Sequence, residues 1–199
     1  MPVPPIINVT VKTANMKRFF FLAFLSFLFI SGAAHAQQYL TRTGQVTFRS
    51  EAPEELIEAQ NNDVAAQLIV SEAKGQFIIP IKSFKFKKAL LQEHFNENYM
   101  ESDTYPKATY RFTIEDIRNV DFQKPGRYPV RTNGVITLKK TAKTIRVPGY
   151  IVVSNGDSIK VEASFSLSPA DYDIQIPKLV ENKIAKNIEI NVRSTLSKP

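Results

Sequence analysis

The sequence predicts an all-β fold: an eight-stranded antiparallel barrel with one short helix between strands three and four. Three observations lead there. Apolar and polar residues alternate along segment after segment, the period of a strand with one dry face and one wet face. Short turn signals join the segments, as they join antiparallel neighbours. No strand–helix unit recurs, so nothing calls for a parallel sheet with crossover helices. Eight strands are also enough for such a sheet to close on itself and lose its edges. A two-sheet sandwich is the alternative arrangement.

The chain has 199 residues, and its first part does not read as fold. Lys17 and Arg18 precede the apolar run Phe19 to Ile30, and Ala34-His35-Ala36 has the form of a cleavage site. Residues 1–36 are therefore expected to be a secretory signal peptide. The apolar run is shorter than the roughly 20 residues a spanning helix needs. Residues 1–15 add nothing a signal peptide uses, which makes Met16 the expected start and 1–15 a mis-assigned extension. Residues 37–199 then form a single domain large enough for its own core, destined for the periplasm or the outside of the cell.

Without cysteines, the exported chain has neither a disulfide nor a site for a lipid anchor, so burial must hold it together. Of its 26 basic side chains, Lys12, Lys17 and Arg18 leave with the leader, so 23 face 19 acidic ones, a net +4. This is ordinary surface solvation, with room for weak contact with an anionic membrane surface. Nucleic acid is not an expected partner of an exported chain with so small a charge.

Strand one is Leu40 to Ser50, with Val46 and Phe48 on its apolar face and Gly44 marking a bulge or a close backbone approach. Pro53 to Ile57 is expected to open a short helical turn, with proline first and carboxylates near the positive end of the helix dipole. Val64 to Ala73, carrying Leu68, is strand two. Lys74-Gly75 turns it into strand three, Gln76 to Phe86, whose apolar phase shifts from Phe77, Ile79 and Ile81 to Phe84 and Phe86. Such a shift means a bulge or kink near Lys82-Ser83.

The helix is expected from Lys87 to Met100, with Leu90, Leu91, Phe95 and Tyr99 along one stripe. Turn-forming residues and Pro106 stop it. In the next strand, Ala108 to Ile117, Ala108, Tyr110, Phe112 and Ile114 share the dry face. Pro125-Gly126 marks a turn, Val130 to Lys139 contains Ile136, and Ile145 to Val153 is strand six. Asn155-Gly156-Asp157 signals a hairpin with a primed turn. Strand seven points Ile159, Val161, Ala163, Phe165 and Leu167 one way. After an irregular stretch from Pro169 to Val180, the last strand alternates through Ile188, Ile190 and Val192.

Catalytic readings find little support in these residues. A serine or cysteine hydrolase needs a histidine base, but His94 is the one histidine after residue 36, no cysteine exists, and no G-x-S-x-G elbow occurs. Glu93, His94 and Glu97 lie too close in sequence to do more than begin a zinc site. Glu93 and Glu97 read as a solvated acidic face and His94 as a packing or hydrogen-bonding residue, so neither a metal nor another cofactor is expected. Lys82, Lys85, Lys87 and Lys88 read as a solvated strand end, or as cations for an acidic head group.

Several stretches together resemble the YceI-like family of exported proteins. They are Ser83-Phe84-x-Phe86, Glu93-His94-Phe95-Asn96-Glu97-x-Tyr99-Met100, Tyr105-Pro106-x-Ala108, Gly134-x-Ile136-x-Leu138, Ile145-x-Val147-Pro148 and Asp171-Tyr172-x-Ile174. The chain departs from the family's pattern at Glu93-His94-Phe95 and at Tyr99-Met100. The resemblance implies a lipocalin-like barrel whose interior binds polyisoprenoid or other long-chain lipids, with no enzymatic step. In that case the lipid would meet Val46, Phe48, Leu68, Phe84, Phe86, Tyr110, Phe112, Ile136, Ala163 and Phe165 inside. Leu91, Phe95 and Tyr99 would close over it from the helix. The alternative is an exported stress or adhesion module whose barrel is filled by its own side chains.

Overall fold

The computed structural model describes residues 37–199. The expected leader and the extension at 1–15 lie outside the described residues. Nine strand segments form one sheet: β1 (Gln38–Glu51), β2 (Leu56–Ile69), β3 (Lys74–Pro80), β4 (Lys85–Phe86), β5 (Lys107–Ile114), β6 (Gly126–Leu138), β7 (Thr141–Asn155), β8 (Ser158–Leu167) and β9 (Ile188–Ser197). Helix α1 (Ala89–His94) lies between β4 and β5. All neighbours are antiparallel, in the order β1-β9-β8-β7-β6-β5-β3-β2, and β2 pairs back to β1.

That last pairing closes the barrel and rules out the open sandwich. β3 pairs with the second half of β2, Leu68 opposite Gly75, and β4 with its first half, Ala59 opposite Phe86. The two share one position, so the barrel is eight-stranded. The break between them is a 3-10 turn at Ile81–Ser83, where the phase shift predicted a kink. At Gly44 the register of β1 shifts against β2, and a Cβ there would lie 2.5 Å from the Ser194 hydroxyl. The glycine serves both expected purposes, a bulge and a close approach.

Three local expectations are corrected. Pro53 to Ile57 does not open a helical turn. Ala52 N–H donates to Glu55 C=O at 3.1 Å, and Leu56 already begins β2, so the segment is a hairpin turn. Pairing with β1 along its length outweighs the local helix-start signal. The helix is also shorter than expected. After His94 it widens into a π-turn, Phe95–Tyr99, with Met100 N–H donating to Phe95 C=O at 2.9 Å. This changes the stripe, and Leu90 is 60% exposed. Finally, the β7–β8 hairpin forms, but no described glycine has a positive φ, so Gly156 does not supply the left-handed conformation expected of it.

Alternation sorts the side chains as a half-wet sheet requires. One end of the barrel is packed shut by Tyr39, Leu68, Ile114, Val130, Val153, Ile159 and Leu196, joined by Val120 and Phe122 from the β5–β6 connection. Tyr39 is wholly buried; its ring stacks on Phe122 at 5.8 Å and its hydroxyl donates to Gly156 C=O at 3.0 Å. Towards the other end the core divides into two walls. One centres on Ile81, Ala108, Tyr110, Ile136 and Val147, the other on Val46, Ala59, Val64 and Phe84.

Candidate ligand-binding cavity

Between these walls lies a cavity of about 530 Å³. Its size falls within the usual range for small-molecule sites. Its sides come from inward residues of the strands. Ala163 and Phe165 stand on β8, Tyr110 and Phe112 on β5, Ile136 on β6, and Val46 and Phe48 on β1. Leu68 lies at the shut end. Phe84 enters from the end of the 3-10 turn and Phe86 from β4, and Leu91, Phe95 and Tyr99 reach in from α1 and its π-turn. The structure thus brings all thirteen of these predicted side chains to one cavity.

Aromatic rings organise the interior at two levels. Phe112 stands between Phe77 and Tyr110, with centroids 6.0 and 4.9 Å away and all three rings stacked. Nearer the helix, Phe48, Phe84, Phe86 and Phe95 form a cluster with centroid distances of 5.1 to 5.6 Å. The hydroxyls of buried Tyr110 and half-buried Thr132 are used within the protein. Thr132 Oγ1 donates to Val147 C=O at 3.1 Å, so Tyr110 is the donor in its 2.7 Å bond to Thr132. Burial pushes the Tyr110 hydroxyl above its usual pKa, while the Thr132 bond pulls it the other way. Burial also raises Tyr99, and it raises Tyr172 with help from the Asp171 charge.

The mouth is at the helix end, where exposed Leu90, Lys88 and Lys183 line the same cavity as the buried side chains. Lys88 pairs with Glu55 at 2.6 Å. The chain before β9 is fastened to the end of β1 and the β1–β2 turn by two bonds: Glu54 N–H donates to Asn182 C=O at 3.2 Å, and Ala185 N–H to the buried Ser50 hydroxyl at 2.9 Å. Of the four lysines considered for a head group, Lys88 alone lines the cavity. Lys87 pairs with Glu58 at 3.6 Å, Lys82 pairs with Asp103, and Lys85 is exposed on β4. Glu93 and Glu97 are exposed, and His94 lines the mouth beside Leu91 and Phe95. Among the described residues, no group of three or more histidines and carboxylates is placed to hold a metal, and no helix is long and apolar enough to cross a membrane.

Sequence reasoning missed several lining residues in the stretch after β8. Tyr172 and Ile174 are buried in the wall, and Ile176, Val180 and Ile184 line it too. The irregular composition hid them. The available signal was the recurrence of an apolar side chain at every second position, Tyr172, Ile174 and Ile176, amid polar neighbours.

A barrel shut at one end and open at the other onto an apolar cavity defines the class: a small antiparallel β-barrel with an internal binding space. The YceI-like domain model matches residues 37–196, and the chain belongs to that family. Its fold is similar to that of a polyisoprenoid-binding domain from Saccharophagus degradans implicated in plant cell wall breakdown, at 15% identity, 82% and 99% coverage of this chain and that one, and a TM-score of 0.73. It is also similar to BcnA of Burkholderia cenocepacia, at 18% identity, 76% and 95% coverage and 0.63. A YceI protein of Campylobacter jejuni follows at 14% identity, 70% and 83% coverage and 0.53. No curated protein matches the chain.

Proposed function

We propose that this chain is an exported, non-enzymatic binder and carrier of a long-chain apolar molecule, a polyisoprenoid or another lipid, held inside the barrel. The observation that carries the reading is the cavity of about 530 Å³ with its continuous apolar wall. Burying a chain there yields roughly 0.8 kcal/mol per methylene before ordering costs, so few polar contacts are needed. The fold shared with a domain described as polyisoprenoid-binding supports the same reading. So large a void speaks against a barrel filled by its own side chains, since interiors are otherwise close-packed.

Export takes the chain to the periplasm or beyond after cleavage behind Ala36, and sequencing the exported protein should begin at Gln37. A start before Phe19 would defeat that part of the reading. Native mass spectrometry of protein purified from its own host tests the function: a retained lipid mass is expected. A ligand-free mass under gentle conditions would favour the stress or adhesion module. An activity lost on His94→Ala would overturn the non-enzymatic reading.

A further inference from the structure

We propose that the cavity selects a ligand with an uncharged oxygen inside its buried length, and that the Tyr172 hydroxyl is the donor that recognises this oxygen. The proposal rests on the binder reading and adds the chemistry required of the ligand within the barrel. Tyr172 is 2% exposed and lines the cavity, and its hydroxyl is buried without a hydrogen-bond partner among the described residues. A hydroxyl in that position has given up its hydration without return, which native interiors rarely tolerate.

The wall itself does not supply the partner. Tyr172 packs in the cluster of Ile81, Met100, Ala108, Ile136, Val147 and Ile174, whose side chains offer no oxygen or nitrogen. Tyr110 belongs to the same cluster, but its hydroxyl proton goes to Thr132. Phenylalanine would serve this packing equally well, so the phenolic oxygen has no structural use. An acceptor can come only from what fills the cavity. Arg49 Nε and Asn96 Oδ1 are also buried without partners, but neither residue lines the cavity.

The backbone that carries the ring is fixed. Tyr172 ends a 3-10 turn, Pro169–Tyr172, over which Ile174 N–H donates to Pro169 C=O at 3.1 Å. Thr141 Oγ1, at the start of β7, donates to the Asp173 carboxylate at 2.7 Å and ties the next residue to the barrel. Burial, and after it the Asp171 charge, raises the phenol above the usual tyrosine pKa, so at neutral pH it keeps its proton and donates. Both effects also oppose an anion beside it. The acceptor is therefore an uncharged carbonyl, ether or hydroxyl oxygen and not a carboxylate or phosphate.

The test pairs straight-chain ketones with alkenes in which C=CH2 replaces C=O, the carbonyl moving along the chain from pair to pair. Each pair is titrated into the mature protein freed of co-purified lipid and into Tyr172→Phe. The two compounds have nearly the same shape, and their difference in hydration cancels between the two proteins. At one or more carbonyl positions the ketone-to-alkene affinity ratio should fall about fivefold in Tyr172→Phe. The carbonyl stretch of that bound ketone should move to higher frequency in the variant, as its hydrogen bond is lost. Equal ratios in the two proteins at every position would overturn the donor role and leave the binder reading standing. Binding of neither compound to either protein would overturn both. The oxygen removed has no partner in the free protein, so Tyr172→Phe without ligand should keep or raise the urea midpoint. A clearly lowered midpoint would mean that the hydroxyl is already bonded within the protein, and the proposal would fall.

Discussion

The ring of Phe95 lies 5.1 Å from the ring of Phe86, centroid to centroid, and so fastens the π-turn after α1 to the barrel. Phe48 and Phe84 meet the same ring at 5.5 Å. α1 itself buries none of its residues and has no side-chain cap at its start, so Phe95 carries much of its attachment. Truncating a core phenylalanine costs about 3–5 kcal/mol, and half-burial lowers the expectation for Phe95→Ala to about 2 kcal/mol. Hydrogen exchange should show Leu91 to Tyr99 opening well before the strands. Unchanged protection there would mean that the ion pair of Lys88 with Glu55 and the following chain hold the helix instead.

Gly134→Ala should be among the most damaging small substitutions. The new Cβ would stand 2.3 Å from Arg111 C=O and 2.7 Å from Phe112 Cα, backbone atoms that cannot rotate away. Forced overpacking of this kind costs about 3 kcal/mol or more, readable as a lowered urea midpoint. Gly156→Ala, where the closest atom is the Gln123 side chain at 3.3 Å, should change the midpoint little.

The faces of the strands were legible because a two-residue period maps each side chain to one side once closure decides which side is dry. The wall from Ala108 to Ile114 and the row from Ile159 to Leu167 follow from alternation alone. The start of β2 was not legible: Gln60, Asn61, Asn62 and Asp63 break the apolar pattern. In the structure Asn61 is wholly buried, donating to Pro80 C=O at 2.7 Å and accepting Asp63 N–H at 2.9 Å, so a core position looks like a turn. The π-turn escaped for another reason. An extra residue in a helical turn leaves no mark on composition, only on which of Leu90 and Leu91 faces in. The stretch around Tyr172 joins no ladder, so its brief alternation through Tyr172, Ile174 and Ile176 was too short and too irregularly flanked to read as a strand, and packing against β7 buries it instead.

Alkaline stability should be limited by the buried and partly buried phenols. Tyr110, Tyr99 and Tyr172 all have pKa values above the ordinary tyrosine value, chiefly because burial disfavours the phenolate. Above roughly pH 10 the unfolded chain loses these protons while the folded chain keeps them, so stability present below that pH falls as pH rises. Tyr110→Phe should soften the alkaline loss. At neutral pH it should cost about 1 kcal/mol for the bond to Thr132, whose hydroxyl keeps its bond to Val147. An alkaline unfolding curve identical in both proteins would remove Tyr110 as a contributor.

Ala163→Phe tests whether the ligand occupies the interior. Ala163 is half-buried on β8, opposite Gly149 and Val192 on its neighbours, and lines the cavity next to Phe165. The void beside it gives a phenyl ring somewhere to go, so the barrel should fold, as circular dichroism dominated by strand would show. The ring would then fill space that a bound chain needs, and each displaced methylene forfeits roughly 0.8 kcal/mol of burial. The lipid recovered with the purified protein should fall severalfold. Lys85→Ala is the matched control: its ammonium is exposed on β4 and does not line the cavity, so bound lipid should change little. A folded Ala163→Phe protein carrying undiminished lipid would place the ligand outside the barrel, and a loss confined to Lys85→Ala would point to an anionic head group held on the outer face.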